Sequence, residues 1–333
     1  MTRGPLAQRI PIDGFGGGVA GAYALAQELA PGKTMPIIAL FPSWQEEKAS
    51  ALLRMAGPLL GGARIARIGL NLPPLALSLV ADQLAALSEE LAPGTLAGLA
   101  PKLAGSVVAG AWVGSVAKFE HVATGRGATV RSFLPGAGFL VTLEPVVGVH
   151  RITAAEPVVP WPSRPLDPVW LVSAQQNGDN GWLDQHLIPS LAAQPAGLLP
   201  PQPMSTGFWG TDRYTEFVAW SGHPEAIQIL ADALTCRTCD WCGELAALPV
   251  CSFCEMAQPP MPKEPARPEP PQAPAPSEFW VVPEALTALL RQAALRAAPQ
   301  QTALGESPAP VVPPSFGGPG REEQPKAFEW FAD

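Results

Sequence analysis

All five cysteines of this 333-residue chain fall within nineteen positions, as Cys236-x2-Cys239-x2-Cys242-x8-Cys251-x2-Cys254. Two Cys-x-x-Cys pairs joined by a short spacer can each curl into a tight knuckle whose sulfurs point the same way. Two facing knuckles then supply the four thiolates that a tetrahedral ion requires. Of everything in the chain, this pattern constrains the local fold most, because it fixes which backbone segments must meet. Cys239, Cys242, Cys251 and Cys254 are the expected ligands, with zinc as the ion and Cys236 as the bystander.

Within the cluster, Cys239-Asp240-Trp241-Cys242-Gly243-Glu244-Leu245 followed by Cys251-Ser252-Phe253-Cys254 resembles the short zinc-ribbon modules appended to many bacterial and archaeal proteins. The resemblance covers residues 239–254 alone. It implies a closed, structural zinc site with a docking role and no catalysis. Gly243 stands where such knuckles favour a residue with positive φ, whereas the second knuckle carries Glu255 at the corresponding place. Two other readings of the cysteines stay open. Cys236-x2-Cys239-x2-Cys242 also has the spacing of an iron–sulfur run, and the thiols could be redox-active without metal.

Elsewhere the hydrophobic content of 47% suffices for sizeable cores, while charged residues make up only 15%. The net charge of −8, with 21 Lys and Arg spread along the chain, sets nucleic acid aside as an expected partner. The start Met1-Thr2-Arg3-Gly4-Pro5 lacks an apolar signal region, and the cysteines suit a reducing compartment, so a cytoplasmic location is expected.

The patterning predicts an α+β chain. A helix-rich N-terminal domain spans residues 1–155. It holds a helix from a Ser43–Glu46 capping box to Leu60, a second over Leu75–Leu91, and a close-packed small-residue helix within 95–117. That last stretch contains Gly110-x3-Gly114, but its charge-free core between Lys102 and Lys118 is fifteen residues, short of the roughly 20 needed to span a bilayer. A β-hairpin, 129–133 with 139–143, closes the domain. After a Pro-rich boundary at 157–168 comes a small α/β domain, 169–235, with strands at 169–172 and 215–220 and helices at 182–193 and 224–234. The zinc ribbon follows at 236–256, a Pro-rich linker at 257–278, an amphipathic helix at 279–298, and a flexible tail at 299–333. Phe328, Trp330 and Phe331 end that tail as candidate anchors for a protein partner or for self-assembly.

Two phosphate-type motifs are weak. Gly16-x-Gly18-x2-Gly21 has dinucleotide spacing, but the run before it is broken by Pro11, and no acidic residue follows at the ribose position. Gly32-Lys33-Thr34 resembles the end of a P-loop whose first glycine would have to be Gln27. His121, His150, His186 and His223 share no metal spacing. The function expected on these grounds is a non-enzymatic structural or adaptor component of a protein assembly. The alternative is a redox or nucleotide-dependent enzyme with an iron–sulfur or dinucleotide cofactor.

Overall fold

The computed structural model describes residues 7–29, 36–121, 138–153, 156–158, 161–247 and 249–259. All lie within one compact unit, Met1–Pro260. The linker beyond residue 259, the 279–298 helix, the aromatic terminus, the 129–133 strand and Gly32-Lys33-Thr34 fall outside the described residues, whereas Ala257 bridges to Val250 and so belongs with the cysteine-bearing segment. Helix and sheet are mixed, as the patterning predicts.

The chain opens with α1 (Gly18–Leu29), β1 (Ile37–Pro42), α2 (Glu46–Leu59) and β2 (Ile65–Leu70). Strands β1 and β2 pair in parallel, Ile37 with Ile65 through Pro42 with Leu70, which places α2 as the crossover between them. Leu25, Leu29, Leu52, Leu53 and Ile65 bury one another in this unit. The expected capping box is not made. Residues Ser43–Gln45 form a 3-10 turn, no side-chain cap bond is present, and the Ser43 hydroxyl faces Asn71 at 3.5 Å.

Next come α3 (Pro74–Ala86) and α4 (Pro93–Ala104), each with a proline in its first turn, where a missing N–H costs nothing. Helix α4 ends at Gly105, and Val108–Val113 forms β3. The single helix expected within 95–117 is therefore a helix followed by a strand. Every residue of β3 is buried, and a strand covered on both faces loses the alternation that separates strand from helix in sequence. Gly110 has a role other than helix packing. A Cβ there would sit 2.2 Å from the Val141 carbonyl oxygen, so glycine lets the neighbouring strands close up beside a register shift.

The remaining elements are β4 (Gly138–Glu144), β5 (Gly148–Ile152), β6 (Val169–Gln176), β7 (Ala193–Leu199), α6 (Ser205–Trp209), β8 (Tyr214–Ser221), α7 (Ala226–Asp232), β9 (Arg237–Thr238) and β10 (Leu245–Ala246). Between β6 and β7 runs α5, built from Asn180–Trp182, a π-helical Leu183–Leu187 and Ile188–Leu191. Six strands form one sheet in the order β5-β4-β3-β8-β6-β7, with only β6 and β7 parallel. The sheet takes β3–β5 from before the 157–168 segment and β6–β8 from after it, so a single sheet runs across that segment. Strand β4 pairs with β3 and β5.

One face of the sheet (Ala109, Val172, Val218) packs under Leu75, Leu99 and Leu103 of α3 and α4. Further along the same face, Val141 and Tyr214 meet Phe208, Trp209 and Phe119. The opposite face (Val108, Trp112, Leu171, Phe217) is covered by Trp182, Leu187 and Leu191 of α5. No described helix is long and apolar enough to cross a membrane.

Candidate metal centre

The two knuckles fold as near copies. In the first, Cys239 N–H donates to the Glu244 carbonyl at 2.7 Å, and Gly243 N–H to the Cys239 carbonyl at 3.0 Å. In the second, Cys251 N–H donates to the Met256 carbonyl at 3.0 Å, and Glu255 N–H to the Cys251 carbonyl at 2.8 Å. Each turn closes on a left-handed residue, Gly243 at φ 76° and Glu255 at φ 62°. Glycine adopts this backbone freely, whereas for glutamate it costs roughly 1 kcal/mol.

The reason for a glutamate is visible in its partners. Its carboxylate accepts from Arg54 Nε and Nη2 at 3.0 Å each and from Arg67 Nε at 2.9 Å, which lowers its pKa. Arg67 also donates from its backbone N–H to the Ser252 carbonyl at 2.9 Å and from its guanidinium to the Phe253 carbonyl at 3.2 Å. Arg64 of the same N-terminal unit ion-pairs with Glu244 on the first knuckle. The second knuckle is thus moored to α2 and β2.

On its other side the two-knuckle segment packs against α4 through two glycines. A Cβ at Gly94 would lie 2.0 Å from the Leu245 carbonyl oxygen, and one at Gly98 would lie 2.2 Å from Ala247 Cβ. Gly94-x3-Gly98 is therefore a groove for the β9–β10 hairpin, a signal that the sequence carries but that reads equally as helix-breaking. Cys239, Cys251, Ala246 and Phe253 are buried in the same core as α3 and α4.

The Sγ atoms of Cys239, Cys242, Cys251 and Cys254 all lie within 4.8 Å of one another. Cys239 and Cys254 are 3.6 Å apart, Cys242 and Cys251 3.7 Å. Four sulfurs at about 2.3 Å from a central zinc would be separated by about 3.8 Å, whereas a disulfide needs about 2.05 Å. The donor set and its spacing therefore fit a single tetrahedral ion. Gln258 Nε2 donates to Cys239 Sγ at 3.1 Å and to the Met256 carbonyl at 3.0 Å, holding one sulfur from outside the quartet. Cys236 stands apart, its sulfur 4.0 Å from Thr95 Oγ1.

The thiols cannot all ionise unaided. Burial opposes ionisation of Cys239, yet the N–H groups of Cys242 and Trp241 and the neighbouring thiols bring it down to about 6. Cys242 is pushed up to about 12, first by burial and then by the adjacent sulfurs; Cys254 is raised with burial as the largest cause. Clustered sulfurs resist sharing negative charge, and a bound dication removes that resistance.

Among the described residues, the other positions marked in the sequence do not assemble into a site. Ile12–Gly14 is a 3-10 turn, so no strand leads into Gly16-x-Gly18-x2-Gly21; instead a Cβ on Gly21 would lie 1.7 Å from the Gly16 carbonyl oxygen. His121 stacks on Phe208 with centroids 4.5 Å apart, and burial lowers its pKa.

Sequence reasoning missed one buried acid. Glu216, fully buried in the middle strand β8, accepts from Leu75 N–H at 2.7 Å at the start of α3 and from Ser205 Oγ at 2.5 Å at the start of α6. Burial pushes its pKa from 4.5 up to about 7, against the opposing pull of Ser205 and Leu75 N–H. Trp209 Nε1 is close enough to favour the carboxylate but makes no hydrogen bond of good geometry, and Tyr214 Oη also lacks a partner. The available signal was phase: Tyr214, Glu216, Val218 and Trp220 alternate on one face, so an acid in that series faces the core.

No family model matches the chain, and no curated protein matches it. Among solved structures it is similar to a DegV family protein from Eubacterium eligens loaded with heptadecanoic acid, at 9% identity over 62% of this chain and 78% of the other, TM-score 0.45. A DegV family protein from Thermus thermophilus, described for its fatty acid binding, gives 12% identity, the same coverages and TM-score 0.45. A Thermotoga maritima protein, described as revealing fatty acid binding function, gives 8% identity over 62% and 76%, TM-score 0.42. Those descriptions are of ligand binding. On that finding the expected structural or adaptor component, with its zinc-ribbon assembly role, is corrected, as is the alternative of a redox or nucleotide-dependent enzyme.

Proposed function

We propose that Cys239, Cys242, Cys251 and Cys254 bind one zinc ion as thiolates, and that this ion fastens residues 237–258 across α4, α2 and β2. The observation that carries the reading is the four sulfurs within 4.8 Å of one another, two of the pairs at 3.6 and 3.7 Å. Four thiolates leave a tetrahedral ion no open position, so its work is to hold the fold, and the working surface of the protein lies elsewhere. A reducing compartment such as the cytoplasm suits such a site.

The test uses the full chain purified anaerobically. One zinc per chain is expected, and replacing it with cobalt should give the intense visible bands of tetrahedral thiolate coordination. Cys239→Ser and Cys254→Ser should each lose the metal and the protection of residues 237–258 from proteolysis, whereas Cys236→Ser should keep both. Full metal content in either ligand variant would overturn the assignment.

A further inference from the structure

Two cysteines of the quartet are buried and two reach the surface. Cys239 and Cys251 are 1% and 0% exposed, whereas Cys242 and Cys254 are half-buried. Each close contact joins one of either kind across the two knuckles: Cys239 lies 3.6 Å from Cys254, and Cys242 lies 3.7 Å from Cys251. An ion bound by four cysteines holds all of them as thiolates, and the thiolate is the form that an oxidant attacks. Exposure then selects which sulfur meets the oxidant first. Cys239 is shielded further by Gln258, whose Nε2 donates to its sulfur at 3.1 Å.

We propose that Cys242 and Cys254 are sites of peroxide oxidation, and that the reaction closes the nested disulfides Cys239–Cys254 and Cys242–Cys251 and expels the zinc, an assignment that rests on the metal reading given above. For each bridge, the outer thiolate attacks peroxide. An S–O bond forms, the O–O bond breaks, and hydroxide leaves to take up a proton as water. The inner thiolate of the facing knuckle then attacks the resulting sulfenic acid; the S–S bond forms, the S–O bond breaks, and a second hydroxide leaves as water. Over both bridges, two peroxides and four protons become four waters, four thiolates become two disulfides, and zinc departs as the free dication. To bond, each pair closes from 3.6 or 3.7 Å to about 2.05 Å, a movement within reach of side-chain rotation.

Four cysteines allow three pairings, and these differ in what they hold. Bridges inside each Cys-x-x-Cys would leave the knuckles unlinked once the ion is gone. The nested pairing ties one knuckle to the other, as the ion does, so residues 237–258 keep their place against Gly94 and Gly98. Oxidation therefore exchanges one cross-tie for another and frees the metal, and a dithiol with added zinc reverses it.

The experiment uses the full chain carrying Cys236→Ser, which removes the bystander thiol, with zinc content measured before oxidant is added. Hydrogen peroxide is titrated in the presence of a zinc-responsive dye, and samples are mapped by limited proteolysis and peptide mass spectrometry. Chymotrypsin cuts after Trp241, Leu245 and Phe253, which parts the four cysteines and distinguishes the pairings. Zinc release in step with thiol loss is expected, with the two nested bridges predominant and residues 237–258 still protected. At limiting peroxide, a sulfenic-acid trap should label Cys242 or Cys254 at least tenfold more than Cys239 or Cys251. Dithiothreitol with zinc should restore the starting metal content. A chain without zinc before peroxide is added would end the metal reading and this inference together. With zinc bound, any other pairing, equal labelling of the buried cysteines, or oxidation confined to the exposed Met256 with the ion retained would overturn this inference and leave the metal reading standing.

Discussion

Glu216 makes the stability of this fold depend on pH in a direction opposite to that of most carboxylates. Its folded-state pKa of about 7 lies above the ordinary value of 4.5. The folded protein therefore holds a proton that the unfolded chain has already released, and stability falls as pH rises between those two values. A difference of about 2.5 pKa units corresponds to about 3 kcal/mol in total, fully present below pH 4.5 and lost once pH passes about 7. Between pH 5 and pH 8 the group accounts for roughly 2–3 kcal/mol of that loss. Glu216→Gln keeps an acceptor for Leu75 N–H and cannot ionise, so this component of the pH dependence should vanish. Urea unfolding of both proteins at pH 5 and pH 8 gives four free energies. The wild-type difference should exceed that of the variant by about 2 kcal/mol or more, and because both carry the same cysteines, any acid effect on the metal cancels. Equal differences in the two proteins would refute the claim that Glu216 is held in a desolvated core.

Three further outcomes follow from the mooring of the two knuckles and from the glycines. Glu255→Ala and Glu255→Gly both lose the pairs with Arg54 and Arg67, but alanine must also bear the left-handed backbone, so it should be less stable than glycine by about 1 kcal/mol in urea melts. Gly98→Val should cost about 1–3 kcal/mol and weaken metal retention, because its Cβ would meet Ala247 Cβ at 2.2 Å. Gly207, in the middle of α6, faces open space where a Cβ would sit, so Gly207→Ala should leave the fold intact and gain up to about 1 kcal/mol in the same assay.

Legibility in the sequence tracked how local each signal was. The cysteine quartet could be read because two knuckles need only spacing, and α3, β6 and β8 stood near their expected positions because proline starts and apolar runs mark them. Strand β3 was hidden by burial on both faces, which erases alternation. Ser43 failed as a cap because Glu46 begins the helix instead of closing its first turn. The sheet that joins β3 to β8 was invisible for another reason: a pairing across about a hundred residues leaves no trace in either strand alone. Glu216 and the groove of Gly94 and Gly98 belong to the same class, since each acquires meaning only from a distant partner.

Strand β8 occupies the middle of the six-stranded sheet, hydrogen-bonded to β3 on one side and β6 on the other, yet it is the last of the six to be made. During synthesis both of its future neighbours must therefore wait with bare edges, one belonging to a three-stranded meander and the other to a parallel pair. A nascent chain halted before residue 214 should be sticky and in need of a chaperone. Release of the final strand would then act as a zipper, joining two half-built sheets in one late and cooperative event.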